Sequence, residues 1–241
     1  MKLVIFDCDG TLVDSQHIIV AALERAFAAS GLALLPRERV LAVIGLSLPL
    51  AAERLLPDAD MRTIAAVTEG YKSAFGVLRQ DPAHHEPMFP GARQALEALG
   101  RHDDVLLGLA TGKSRRGVIA LFERFGLDSH FATIQTADTH PSKPHPSMIL
   151  HAMEHVGVEP EDTVMIGDTT FDMEMAVNAG VGAIGVAWGY HRVGALKRAG
   201  AQMIVERYED LVPAIEERLG LQGNGRVTSS GKPCTPRARS G

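Results

Sequence analysis

The chain has 241 residues, of which 46% are apolar and 22% charged, and its formal net charge is −5. That is enough for one large domain or a core carrying a smaller inserted one, and the acidic balance argues against a nucleic-acid partner. The two cysteines, Cys8 and Cys234, sit in unrelated segments that suggest no structural disulfide. With no apolar run of membrane-spanning length and no signal-peptide pattern ahead of Asp7, the expectation is a cytoplasmic protein without a membrane partner.

Leu3–Phe6 is a short apolar run and reads as a buried strand. It runs into Asp7-Cys8-Asp9-Gly10-Thr11, which carries two carboxylates one residue apart. Side chains alternate along a strand, so Asp7 and Asp9 share a face if the backbone stays extended, while Gly10 lets it turn just beyond. Like charges this close repel unless a cation or a proton separates them. The pair therefore points to a divalent-metal site in which one carboxylate attacks and the other handles protons.

From residue 15 to 86 the pattern is helical. Ile18, Ile19, Ala22, Leu23, Ala26 and Phe27 form one stripe, Pro36 is placed to open a short helix through Val43, and Leu48–Leu55 and Met61–Leu78 read as two more. This reads as a helical insertion that leaves after the acidic segment and returns near Pro87–Pro90, a position suited to a lid. The loop Val43–Leu50 reads equally well as a substrate-facing segment or as an ordinary helix–helix turn.

From about residue 87 strands and helices alternate. Further strands are expected at Val105–Ala110, Thr133–Gln135, Thr163–Ile166, Ala183–Val186 and Met203–Val205. Helices are expected at Gly91–Leu99, Arg115–Phe125, Ser147–Val156 and Phe171–Ala179, with Gly126 and Gly180 as C-terminal stops. Alternation of this kind gives an α/β fold, a Rossmann-like parallel sheet with helices on both faces, whose sites form at the C-terminal strand ends. With residues 1–14 it makes up the core (1–14 and 87–221), into which the helical cap (15–86) is inserted. Residues 222–241 are rich in Gly, Ser and Pro and carry four basic residues and no acid. Removing those four charges leaves −9 for residues 1–221, and the tail is expected to be disordered.

Three of these strand ends carry chemistry. Thr111-Gly112 offers a hydroxyl and an approachable backbone N–H, which suit a phosphate. Gly112-Lys113-Ser114 is not a P-loop, because that motif needs glycine at position 107, which is leucine; Lys113 is read as a solvated charge at a helix start. Lys143 lies in a loop stiffened by Pro141, Pro144 and Pro146, where an ammonium could steady a phosphate or serve as an ordinary surface charge. His140, His145, His151 and His155 are read as solvated, since no third ligand stands at a motif-like spacing. Gly167-Asp168 ends a strand, and Asp172 falls in the first turn of the next helix. Carboxylates from two strand ends make a site for Mg2+. Trp188-Gly189-Tyr190 could line a pocket rim or pack a helix and is not assigned to the site.

Asp-x-Asp-Gly-Thr after the first strand, the strand-terminal Thr111, Lys143-Pro144 and Gly-Asp-x-x-x-Asp occur in this order, and together they resemble the haloacid dehalogenase-like hydrolase superfamily over residues 1–220. The cap segment looks most like the phosphoglycolate phosphatase-type branch, although Ser47 and Pro49 depart from its commoner Gly-Leu-Pro-Leu form. The resemblance implies a phosphatase acting on a small phosphorylated metabolite. Asp7 would be the nucleophile that forms an aspartyl-phosphate, and Asp9 the acid and then the base. The Asp7 carboxylate, the Asp9 backbone carbonyl and Asp168 would hold Mg2+ with support from Asp172, and Thr111, the Gly112 amide and Lys143 would bind the phosphoryl group. Asp9 argues against carbon–halogen cleavage, and a cap whose one lysine is Lys72 argues against Schiff-base chemistry. A sugar-phosphate mutase and a non-catalytic binding protein remain as alternatives on the same fold.

Overall fold

A computed structural model describes residues 1–221; the expected tail lies outside the described residues. Six strands form one sheet: β1 (Lys2–Phe6), β2 (Val105–Thr111), β3 (Thr133–Thr136), β4 (Thr163–Gly167), β5 (Gly182–Val186) and β6 (Met203–Val205), in the order β3-β2-β1-β4-β5-β6 and parallel throughout. Every expected strand is present within a residue or two of its ends.

The alternation of β1 shows why the sheet is covered on both sides. Val4 and Phe6 join one apolar cluster with α5 (Ala92–Leu99), α6 (Arg115–Phe125) and α10 (Leu211–Leu219). Leu3 and Ile5 join the other with α7 (Ser147–Val156), α8 (Thr170–Ala179) and α9 (Val193–Arg198). Helices α9 and α10 are left unassigned by the sequence reading. The first is only six residues long, and the second carries Pro213 in its first turn, so neither shows a long periodic stripe.

Residues 15–86 contain α1 (Gln16–Ala29), α2 (Arg37–Leu41), α3 (Leu48–Leu55) and α4 (Met61–Leu78). Their apolar faces close on one another in two small clusters that borrow Phe171 and Tyr190 from the sheet side. The outgoing and returning chains run side by side: Asp14 N–H donates to Pro87 O at 2.8 Å, and Phe89 N–H donates to Leu12 O at 3.0 Å.

Strand order reverses between β1 and β4, because the chain steps outward from β1 to β2 and β3 and then returns to pair β4 with β1. A crevice forms at such a reversal, beyond the C-terminal strand ends. Register fixes what lines it: Phe6 lies opposite Leu109 and Ile166, so Asp7, Thr111 and Asp168 emerge along one edge.

Candidate active site

Asp7 leaves β1 at this edge with its N–H bonded to Ile166 O at 2.9 Å. The chain then turns at Gly10, whose φ of +89° suits glycine. A Cβ there would lie 2.3 Å from Asp168 Oδ2, so the absence of a side chain lets the acidic loop close on the end of β4. Thr11 Oγ1 donates to Asp168 Oδ1 at 2.9 Å, and Tyr190 N–H donates to Asp168 Oδ2 at 2.8 Å. Thr169 caps α8 and forms a reciprocal box with Asp172, which accepts from Thr169 N–H at 3.0 Å and from its hydroxyl at 2.7 Å.

The fully buried ammonium of Lys143 sits between two of these carboxylates, 2.6 Å from Asp7 Oδ1 and 2.6 Å from Asp172 Oδ1. Burial alone would depress the lysine pKa, but Asp172 and Asp7 outweigh it and the net shift is upward. Asp7 is pushed up to about 7, first by burial and then by Asp172 and Asp9, with Lys143 pulling the other way. Asp168 is driven well above the carboxylate range by burial and by the charges of Asp7 and Asp172.

Asp7, Asp168 and Asp172 each offer an oxygen within 4.8 Å of the others, and Asp7 Oδ2 is buried without a hydrogen-bond partner among the described residues. When all three carboxylates are ionised, one lysine leaves the cluster net negative, and Asp7 Oδ2 has no hydrogen-bond partner. Hard oxygen donors of this kind fit a divalent cation.

The structure gives the two motif aspartates different partners. Asp7 faces Lys143, while Asp9 turns to Lys113, and the Asp9 carboxylate is not in the three-carboxylate cluster. Thr111 Oγ1 accepts from Lys113 N–H at 3.1 Å, which leaves its own O–H to donate elsewhere. Gly112 approaches the Val43–Leu50 loop so closely that a Cβ would lie 2.5 Å from Leu46 O. Ser47 N–H donates to Ser142 Oγ at 2.8 Å beside Lys143.

Three readings from sequence need correction. Lys113 is not a solvated charge: its side chain is 7% exposed and its Nζ is paired with Asp9 and Glu86. His140 is half-buried and bonded through both ring nitrogens, to Ser147 Oγ and Gln135 Oε1, whereas His145, His151 and His155 are exposed. Trp188 and Tyr190 do belong beside the site, since the Trp188 ring N–H donates to Thr11 O and the Tyr190 hydroxyl meets Ser15. Thr11 was visible in the acidic motif. Glu86 carried no signal, because its partner is 27 residues away.

A family model described as haloacid dehalogenase-like hydrolase matches residues 4–186. A Dickeya dadantii protein named "Probable phosphatase IndB" is 41% identical over 228 residues, covering 92% of this chain and 96% of that one. A phosphoglycolate phosphatase from Agrobacterium fabrum is 30% identical over 229 residues, covering 92% and 95%. The crystal structure of a hydrolase from Pseudomonas syringae superposes with a TM-score of 0.80 at 28% identity, covering 90% of this chain and 99% of that one. With the family model matching residues 4–186 and a relative 41% identical over 92% of this chain, the chain is an enzyme of the haloacid dehalogenase-like hydrolase family.

Proposed function

We propose that the chain is a Mg2+-dependent phosphatase that hydrolyses a small phosphorylated metabolite through an aspartyl-phosphate on Asp7. The observation that carries this reading is the buried Asp7 carboxylate, held at one oxygen by Lys143 and unpartnered at the other, at the end of β1. Phosphoryl transfer asks for a fixed nucleophile and neutralised equatorial oxygens. In this reading Asp7 attacks phosphorus, the bond to the ester oxygen breaks, and Asp9 supplies that oxygen with a proton. Asp9 then takes a proton from the water that releases phosphate and restores Asp7. The Thr111 hydroxyl, the Gly112 N–H and Lys143 bind the transferring group.

Mg2+ would be held by the Asp7 carboxylate, the Asp9 carbonyl and Asp168, with Asp172 in support. When bound it would neutralise charge on the phosphoryl oxygens. Residues 1–14 and 87–221 act as the catalytic core and 15–86 as a cap, supported by the cap's own apolar clusters and the paired linker segments. Among the described residues no helix is long and apolar enough to cross a membrane, and Cys8 is free; both fit the cytoplasmic placement proposed here.

A phosphoglycolate-like substrate is supported by the name of the Agrobacterium fabrum relative. The test is phosphate release with Mg2+ from a panel of small phosphomonoesters that includes 2-phosphoglycolate, with inorganic phosphate counted against any isomerised product. Net release that favours phosphoglycolate supports the reading. Isomerisation without release, dependent on an activating bisphosphate, would favour a mutase, and binding without turnover would favour a non-catalytic role.

Proton competition gives a second expectation. In the metal-free fold the Asp7 pKa is raised from 3.8 to about 7. The neutral form's contribution to stability is therefore complete below the ordinary value and lost as pH rises through about 7. Mg2+ binds the ionised form. The rise in melting temperature on adding millimolar Mg2+ should be several degrees at about pH 8 and clearly smaller at about pH 6. An increment independent of pH would contradict the assignment of Asp7 to the metal.

A further inference from the structure

Lys113 is buried beside Asp9 and has no role in the proposed reaction. Its Nζ lies 2.7 Å from Asp9 Oδ1 and 2.7 Å from Glu86 Oε1, and the Phe75 ring centroid stands 5.5 Å away. An ammonium has three protons; two point to carboxylates, and an aromatic face covers a further side. The local fold aims it there. Lys113 N–H is anchored on Thr111 Oγ1, and the stem runs over Gly117 at the start of α6, where a Cβ would lie 2.8 Å from Lys113 Cγ. Glu86 is itself within 3.8 Å of Arg79, which follows α4 and donates to Gly117 O at 3.2 Å. The side chains of Asp9, Lys113 and Glu86 are 11%, 7% and 4% exposed, so solvent screens these charges little.

We infer that Lys113 is a positioning residue for Asp9, and that Glu86 holds Lys113 in that role from the point where the chain returns from the helical segment. The ammonium fixes Asp9 Oδ1, and proton exchange with the ester oxygen then runs through Oδ2. As the P–O bond breaks, its electron pair stays on the leaving oxygen, which takes the Asp9 proton; Asp9 regains a proton from the attacking water. Glu86 balances the lysine charge, so Asp9 faces an oriented pair and not a bare cation. Because the network joins Asp9 to Glu86 and Arg79, the proton donor is aligned by the same residues that fix the end of α4. This inference rests on the phosphatase reading, in which Asp9 protonates the leaving group.

A leaving group that needs no proton separates positioning from mere structural support. The measurement is kcat/KM with Mg2+ for the best alkyl phosphomonoester of the panel and for acetyl phosphate, whose acetate departs unprotonated. The proteins are wild type, Asp9→Asn, Lys113→Met and Glu86→Gln, each checked by thermal melting. Lys113→Met should lower the alkyl value by about 10²-fold and the acetyl phosphate value by less than about threefold; Glu86→Gln should show the same pattern at about tenfold. Equal losses on both substrates, or no loss, in the folded variants would overturn the inference while leaving the phosphatase reading intact. If Lys113→Met does not fold, the neutral and nearly isosteric Glu86→Gln decides alone. An Asp9→Asn protein that loses both activities equally would reject Asp9 as the leaving-group acid, and a wild type that hydrolyses neither substrate would reject the phosphatase reading; either result takes the inference with it.

Discussion

Replacing Asp7 by asparagine is expected to lower phosphate release by at least about 10⁴-fold while leaving the fold intact and, without metal, more stable. The loss of activity follows because the amide cannot attack phosphorus, and neighbouring groups cannot substitute when residues act as a unit. The gain in stability follows from the surroundings of Asp7: it is buried, and Asp172 and Asp9 both disfavour its charge, so its pKa sits near 7 despite Lys143. Above that pH the metal-free wild type carries an unfavourable carboxylate that the amide lacks. The expected difference is on the order of 2–4 kcal/mol at about pH 8 and fades as pH falls from about 7 towards the ordinary value of 3.8, below which the wild-type carboxyl is neutral in both the folded and unfolded states. Urea or thermal melts of both proteins in chelator, paired with phosphate assays in Mg2+, check the two halves. A variant that is inactive because it is unfolded would contradict this account of Asp7.

Lys143→Met should be damaging in both respects. The ammonium is fully buried and bridges Asp7 and Asp172 at 2.6 Å each, so its removal leaves those carboxylates with no cation between them. Breaking a buried ion network on one side costs on the order of 3–5 kcal/mol. Activity should fall by about 10²- to 10³-fold through the loss of charge directed at the phosphoryl group. The two effects separate on adding Mg2+, which should restore much of the melting temperature by supplying the missing charge but little of the activity. Lys143→Arg should not rescue, because a planar guanidinium does not fit a fully buried ammonium site. A Lys143→Met protein with wild-type stability in chelator would show that the observed network contributes nothing.

Much of the fold and of the candidate site could be read from the chain. Most strands were legible because they are short apolar runs; β3, Thr-Ile-Gln-Thr, is the exception and was placed by the alternation of strands and helices. Asp7, Thr111 and Asp168 were legible because each stands at a strand end in a short motif, and parallel register brings such ends together; Lys143 and Asp172 were legible from their motifs, in the loop after β3 and the first turn of α8. Lys113 was misread because the choice between a solvated and a buried ammonium depends on Asp9, Glu86, Phe75 and Gly117, which come from separate segments. The Tyr190 contact escaped for another reason: a backbone N–H holds Asp168, and side-chain chemistry gives no hint of it. His140 looked solvent-facing because neither Gln135 nor Ser147 marks itself as a histidine partner.

The covalent intermediate is the central claim, and chemical trapping tests it most directly. During turnover of the preferred phosphomonoester with Mg2+, borohydride reduces an acyl-phosphate to the alcohol, and peptide mass spectrometry locates the reduced side chain. The account predicts reduction at residue 7 that depends on substrate and Mg2+ and is absent from Asp7→Asn. Sustained phosphate release with no reduced peptide at residue 7, or reduction at another carboxylate, would contradict it.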